Sequence, residues 1–98
     1  MNIDMTKEDA TLTVSLSGRL DTQSAPELEE KLSSAYEGIN KLIFDFEDLS
    51  YISSAGLRIL LNAMQTMDNQ GELLVKNVND DIMSVFNLTG FIEDLTII

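Results

Sequence analysis

The fold is decided by a strand and a helix that follow one another in KLIFDFEDLSYISSAGLRILLNAM, residues 41–64. Residues 41–46 are apolar on nearly both faces of an extended chain, which is typical of a central strand covered by helices. From Ala55 onward the apolar residues recur at helical spacing, beginning with Leu57. The stretch therefore predicts a buried strand that leads directly into an amphipathic helix.

Strand and helix patterns alternate along the rest of the chain. Alternating apolar residues predict strands near residues 3–5 and over residues 11–17, and a further interior strand is predicted at residues 73–75. Ser24 and Asn79 are each expected to cap the first turn of a helix. The order β-β-α-β-α-β-α, with a final strand left open, predicts an α/β fold with one mixed sheet and helices packed mainly on one face.

The same patterns predict the core and one boundary of the sheet. Gly18 indicates a bulge or turn after the second strand, beyond which residues 19–22 are expected to leave the sheet. Eight apolar residues are expected to share one core, because their periodicities point the faces of sheet and helices at each other. They are Leu42, Phe44, Leu57, Leu60, Leu61, Leu73, Val75 and Phe86.

The composition limits the classes of function. The chain is long enough for one domain, residues 1–98, with a modest core. Seventeen acidic and six basic residues give a net charge of −11, which repels nucleic acid and anionic membranes and attracts a protein with a basic face. No apolar run reaches membrane-spanning length and the start lacks the regions of a signal peptide, so we expect a cytoplasmic protein.

Residues that commonly carry catalysis are missing from the chain. Histidine and cysteine are absent, which removes the commonest general base and any thiolate metal site. The five glycines are scattered, so neither a phosphate-binding loop nor a dinucleotide fingerprint is present. Asp45, Glu47 and Asp48 could converge on a hard cation, but a solvated acidic loop is the preferred interpretation. We therefore expect a binding module without catalytic residues, metal or cofactor, and not an enzyme.

Ser54 stands where the second helix is expected to begin. The small side chains of Ala55 and Gly56 would leave the first-turn N–H groups open to another molecule, and a helix N-terminus tolerates a phosphate well. A serine at this place is, however, most often an N-cap worth about 1 kcal/mol. Gly56 has its own structural explanation, which is close packing of the helix on the sheet. The residues alone leave both interpretations open.

Residues 48–57 resemble the signature of the STAS domain, and specifically that of the bacterial anti-sigma factor antagonists, roughly D-L-S-x-(M/I)-D-S-(S/T)-G-L. Residues 18–21 resemble the G-E-(L/I)-D of the same family. Residues 85–91 resemble its L-F-x-x-(S/T)-G-(L/F) near the end of the domain. The three landmarks occur in order along nearly the whole chain, so the resemblance implies a stand-alone STAS domain.

The resemblance also implies a phosphorylation switch. In this family a cognate anti-sigma factor, which is also a serine kinase, binds the unphosphorylated antagonist and phosphorylates the serine before (S/T)-G; a PP2C-type phosphatase resets the switch. The acceptor carried over is Ser54. The usual aspartate before the acceptor is Ser53 here, which makes Ser53 a second candidate acceptor, and Ala55 replaces the following Ser or Thr. The residues expected to contact the partner are Asp21, Thr22, Ser53, Ala55, Gly56, Leu57 and Arg58.

Two other functions stay open at this point. A STAS domain can be a scaffold subunit of a lipid-transport complex or of a stressosome-like assembly, with no phosphorylation switch. Nucleotide binding or hydrolysis has also been suggested for some STAS domains, although the missing phosphate-binding loop counts against it here. A kinase-like anti-sigma factor encoded next to this chain would favour the antagonist, whereas neighbouring transporter subunits would favour the scaffold.

Overall fold

A computed structural model describes all of residues 1–98 as a five-stranded sheet with three α-helices and one short 3-10 turn. The strands are β1 (Asn2–Glu8), β2 (Thr11–Leu20), β3 (Lys41–Ile52), β4 (Glu72–Lys76) and β5 (Thr96–Ile97). The helices are α1 (Ala25–Ser33), α2 (Ser54–Asp68) and α3 (Asp80–Thr89), and the 3-10 turn is Phe91–Glu93. The final strand that the sequence leaves open is therefore β5.

The strands lie side by side in the order β1-β2-β3-β4-β5, which makes β3 the central strand. β1 pairs with β2 antiparallel, and the other three pairs are parallel. Each parallel pair is joined through one helix, and crossovers of the usual right-handed kind that advance in one direction place all their helices on the same face. Leu28 of α1, Leu60 of α2 and Phe86 of α3 accordingly share one buried cluster with Phe44 of β3. The predicted mixed sheet with helices on one face is confirmed.

The other face of the sheet is only half-buried. In β3, Lys41, Ile43 and Asp45 alternate with the fully covered Leu42 and Phe44. The apolar run of residues 41–46 therefore marks a central strand, but its second face is shielded by neighbouring side chains of the sheet and not by helices.

Seven of the eight residues predicted for the core are buried, and Leu61 is the exception, with 41% of its surface exposed. Successive residues of a helix point about 100° apart, and α2 buries Ile59 and Leu60 on either side of its contact stripe, so Leu61 lies beyond the edge of that stripe. α2 buries Leu60 together with Ala63 and Met67, and this choice turns Leu61 towards the solvent. The prediction for Leu61 was wrong because the buried stripe of α2 extends from Leu60 towards Ile59 and does not reach Leu61.

The second strand continues past the irregularity at Gly18. Gly18 has φ +95° and the pairing of β2 with β3 shifts register there, as expected of a bulge. Arg19 and Leu20 nevertheless stay in the sheet, paired with Tyr51 and Ile52, so the expectation that residues 19–22 leave the sheet is wrong for the first two. The extra pairs carry β2 as far as the start of α2 and place the Asp21 loop next to it.

Candidate functional site at the start of helix α2

Ser53, and not Ser54, is the N-cap of α2. Its backbone is extended, with φ −97° and ψ 178°, and its Oγ accepts a hydrogen bond of 3.5 Å from the N–H of Gly56. Its own N–H donates to the carbonyl of Leu20 at 2.9 Å, and its carbonyl accepts the N–H of Leu57 at 3.0 Å. The half-buried Ser53 hydroxyl therefore already has a structural partner.

Ser54 is the first residue of α2, and its hydroxyl is free. The residue is exposed, and its Oγ makes no hydrogen bond within the protein. The N–H groups of Ser54 and Ala55 belong to the first turn, where no preceding carbonyl of the helix can accept them. A hydroxyl that carries no structural bond, at the positive end of a helix, can take a phosphate without loss of a native contact.

Gly56 lets α2 approach the sheet closely. A Cβ atom at this position would lie 2.8 Å from Cγ1 of Ile52 and 2.8 Å from Cγ of Leu20. Gly56 is buried and its N–H is bonded to Ser53, so the expectation that this N–H stays open is wrong. Leu57 is buried as well, and only 8% of its surface is exposed. Both residues pack against the sheet beneath the site, and the buried side chain of Leu57 lies away from the surface a partner can reach.

Asp21 organises the loop that enters α1. Its Oδ1 accepts the N–H of Ser24 at 3.1 Å and the N–H of Gln23 at 3.0 Å. The hydrogen bond from the Ser24 backbone, helped by that from Gln23, lowers the pKa of Asp21 below its ordinary value, so this carboxylate is charged at neutral pH. Ser24 does not cap α1 as predicted, because its Oγ accepts the Asp21 N–H and donates to the carbonyl of Arg19.

A surface groove of about 300 Å³ connects the two predicted parts of the site. Thr22 and Glu29 line it from the side of α1, and Ser54, Ala55 and Arg58 line it from α2. Arg58 is exposed and makes no salt bridge, since the protein's ion pairs involve Arg19, Lys31 and Lys41 instead. The structure thus brings Thr22, Ala55 and Arg58 together around Ser54, while the half-exposed Asp21 precedes Thr22 in the same loop.

Two features of this surface were not predicted from the sequence. The guanidinium of Arg19 lies 4.1 Å from the ring centroid of Tyr51, and its Nε lies 3.7 Å from a carboxylate oxygen of Asp21. Glu29 of α1 contributes to the groove wall. The contact of Arg19 with Tyr51 and the groove wall at Glu29 depend on elements far apart in the chain, for which no local pattern exists.

The expected acidic loop is part of a strand. Asp45, Glu47 and Asp48 all belong to β3, whose alternation of buried and exposed residues is interrupted at Glu47 and Asp48. No group of three or more metal-ligating side chains is placed to hold an ion. None of the helices has the length and apolar character needed to cross a membrane.

The fold and the segment around Ser54 define a STAS domain. A family model described as "STAS domain" matches residues 2–98, so the chain belongs to this family, as the resemblance of residues 48–57 indicated. BtrV from Bordetella bronchiseptica is 36% identical over 95 residues, which are 95% of this chain and 82% of BtrV. The anti-sigma-B factor antagonist of Staphylococcus aureus is 33% identical over 97 residues, which are 97% of this chain and 89% of that protein.

Solved structures show the same fold. The anti-sigma factor antagonist SpoIIAA in its unphosphorylated form matches with a TM-score of 0.79 and 21% identity, over 99% of this chain and 87% of SpoIIAA. The phosphorylated form of the Bacillus protein SpoIIAA matches with a TM-score of 0.78 and 22% identity, over 99% of this chain and 91% of that one. At these identities the likeness establishes the architecture, and the role of Ser54 has to be argued from the chain itself.

Proposed function

We propose that this chain is an anti-sigma factor antagonist that binds a cognate anti-sigma factor serine kinase and is released when that kinase phosphorylates Ser54. The observation that carries the proposal is the state of Ser54: an exposed hydroxyl without a hydrogen bond at the first position of α2. Membership of the STAS family and the names of the relatives support it. Since the partner controls a sigma factor, the exchange takes place in the cytoplasm.

The chemistry requires only an acceptor from this chain. The kinase transfers the γ-phosphoryl group of ATP to Oγ of Ser54, so that a new O–P bond forms, the bond to ADP breaks and the hydroxyl proton leaves to a base of the kinase. A PP2C-type phosphatase then hydrolyses the phosphoserine with water and returns the free hydroxyl. Ser53 is the poorer acceptor, because its oxygen is half-buried and receives the Gly56 N–H.

Phosphate on Ser54 would change the surface more than the fold. It adds about −1.5 to −2 charges at neutral pH, and the helix N-terminus accommodates them. A partner that covers a neutral hydroxyl would instead have to desolvate a dianion near Glu29 and the charged Asp21. A loss of about 3 kcal/mol of binding free energy weakens affinity by roughly two orders of magnitude.

The acceptor is tested by phosphate mapping. The chain is incubated with ATP and the purified anti-sigma factor kinase encoded nearest to its gene, and the modified residue is identified by mass spectrometry. We expect one phosphate on Ser54, none on Ser54→Ala, and unchanged modification of the matched control Ser53→Ala. Absence of phosphate from both serines would remove the switch and leave the scaffold function in its place.

A further inference from the structure

We propose that the docking surface for the anti-sigma factor kinase continues from Ser54 along the exposed face of α2, past Arg58, to Leu61, which is its apolar contact. The inference rests on the proposed function and adds to it the extent of the surface and the chemistry of the partner. It starts from the leucine that helical periodicity placed in the core and that the structure places outside it.

Ser54, Arg58 and Leu61 lie on one face of α2. They are spaced i, i+4 and i+7, which puts their side chains within about 60° around the helix axis. At about 1.5 Å per residue, Leu61 lies about 10 Å further along the helix than Ser54. A hydroxyl, a cation and an alkyl group therefore follow one another along a strip that one partner surface can cover.

Leu61 is not an isolated exposed side chain. It stands four residues after the buried Leu57 and three before the half-buried Met64, so it is the outermost member of a continuous apolar ridge. Exposed single leucines are common and need no explanation by themselves. Leu61 differs from them because it is the exposed end of the apolar ridge and lies on the same face of α2 as Ser54. Tyr51, which is similarly exposed at 40%, has its ring covered by Arg19.

The charges indicate the chemistry of the partner. The net charge of −11 attracts a surface that is basic overall. Within that partner surface, Leu61 packs into a shallow apolar socket. Because Arg58 makes no salt bridge within this chain, it is free to pair with a carboxylate of the partner beside that socket. A phosphate on Ser54 would draw the Arg58 guanidinium four residues away towards itself, so the partner would lose its Arg58 contact on phosphorylation.

The test compares substitutions at Leu61 with the same substitutions at Ile98. Ile98 is a more exposed alkyl residue, at 64%, that follows β5 and lies outside α2. Affinity for the purified anti-sigma factor kinase without ATP is measured by titration calorimetry. We expect Leu61→Ala to bind about fivefold more weakly and Leu61→Asp at least about fiftyfold more weakly, because an apolar socket loses its alkyl group or receives an unpaired charge. Ile98→Ala and Ile98→Asp should bind like the wild type.

The aspartate variant separates apolar contact from charge attraction. If association with a basic partner depended on charge alone, Leu61→Asp would bind as well as the wild type or more tightly. Thermal unfolding of each variant shows that the fold is kept, which is expected because the side chain is largely outside the core. Two results would overturn this inference and leave the proposed function standing, provided that the wild type binds the kinase. One is an affinity of Leu61→Asp within twofold of the wild type, and the other is an equal loss of affinity in Ile98→Asp. A wild-type chain that does not bind the kinase at all would overturn both.

Discussion

At the scale of single residues, the two adjacent serines before Ala55 differ in the hydrogen bonding of their hydroxyl groups. Ser53 holds the helix end together through its Oγ, while Ser54, one position later, bonds to nothing. Phosphorylation of Ser54 therefore breaks no native contact, whereas phosphorylation of Ser53 would require the cap to open. The difference of one residue separates a hydroxyl with a structural bond from the free hydroxyl that we propose as the phosphate acceptor.

The two hydroxyls should differ in their contribution to stability. We expect Ser53→Ala to lower the free energy of unfolding by about 1 kcal/mol, since an N-cap bond is lost. Ser54→Ala removes an exposed hydroxyl without a partner and should change it by less than about 0.5 kcal/mol. Urea denaturation followed by circular dichroism measures both values. A larger loss at Ser54 than at Ser53 would contradict the assignment of the cap.

At the scale of elements, the position of the site depends on how closely α2 approaches the sheet. The helix lies so close to Leu20 and Ile52 at position 56 that there is no room for a Cβ atom, which glycine lacks. The existence of β3 and α2 could be predicted, because each has its own period of apolar residues. From the sequence, the N-cap of α2 was expected at Ser54, which is one residue too late. Either of two adjacent serines can cap a helix, and the sequence alone does not show which one accepts the first-turn N–H. The continuation of β2 beyond Gly18 depends on pairing with β3, which no local pattern reports.

Gly56→Ala should destabilise the protein although alanine favours helices. The added methyl group would lie 2.8 Å from two side chains, and overpacking of this kind costs about 1–3 kcal/mol, against a gain of about 1 kcal/mol in helix propensity. We expect a net loss of about 1 kcal/mol in urea denaturation, together with weaker binding to the kinase as the first turn of α2 is displaced. The neighbouring Ala55→Gly, which relieves no clash, serves as the control. Increased stability of Gly56→Ala would show that close packing is not the reason for this glycine.

At the scale of the whole molecule, the fold assembles a surface from segments distant in the sequence. The mixed sheet with helices on one face could be predicted from the order of elements, whereas the strand order β1-β2-β3-β4-β5 is known only from the structure. The groove between α1 and α2 could not be predicted, because Glu29 and Arg58 become neighbours only when both helices pack on the same face of the sheet. The net charge of −11 favours association with a basic partner, and in the function we propose the phosphorylation state of Ser54 sets whether that complex persists.

The central claim is that a phosphate on Ser54 ends the complex without unfolding the chain. Its most direct test is titration calorimetry of the anti-sigma factor kinase with the chain before and after stoichiometric phosphorylation, together with circular dichroism of both forms. The account predicts equal folded spectra and an affinity about a hundredfold weaker after phosphorylation, corresponding to about 3 kcal/mol. Equal affinities of the bare and phosphorylated chains would contradict it.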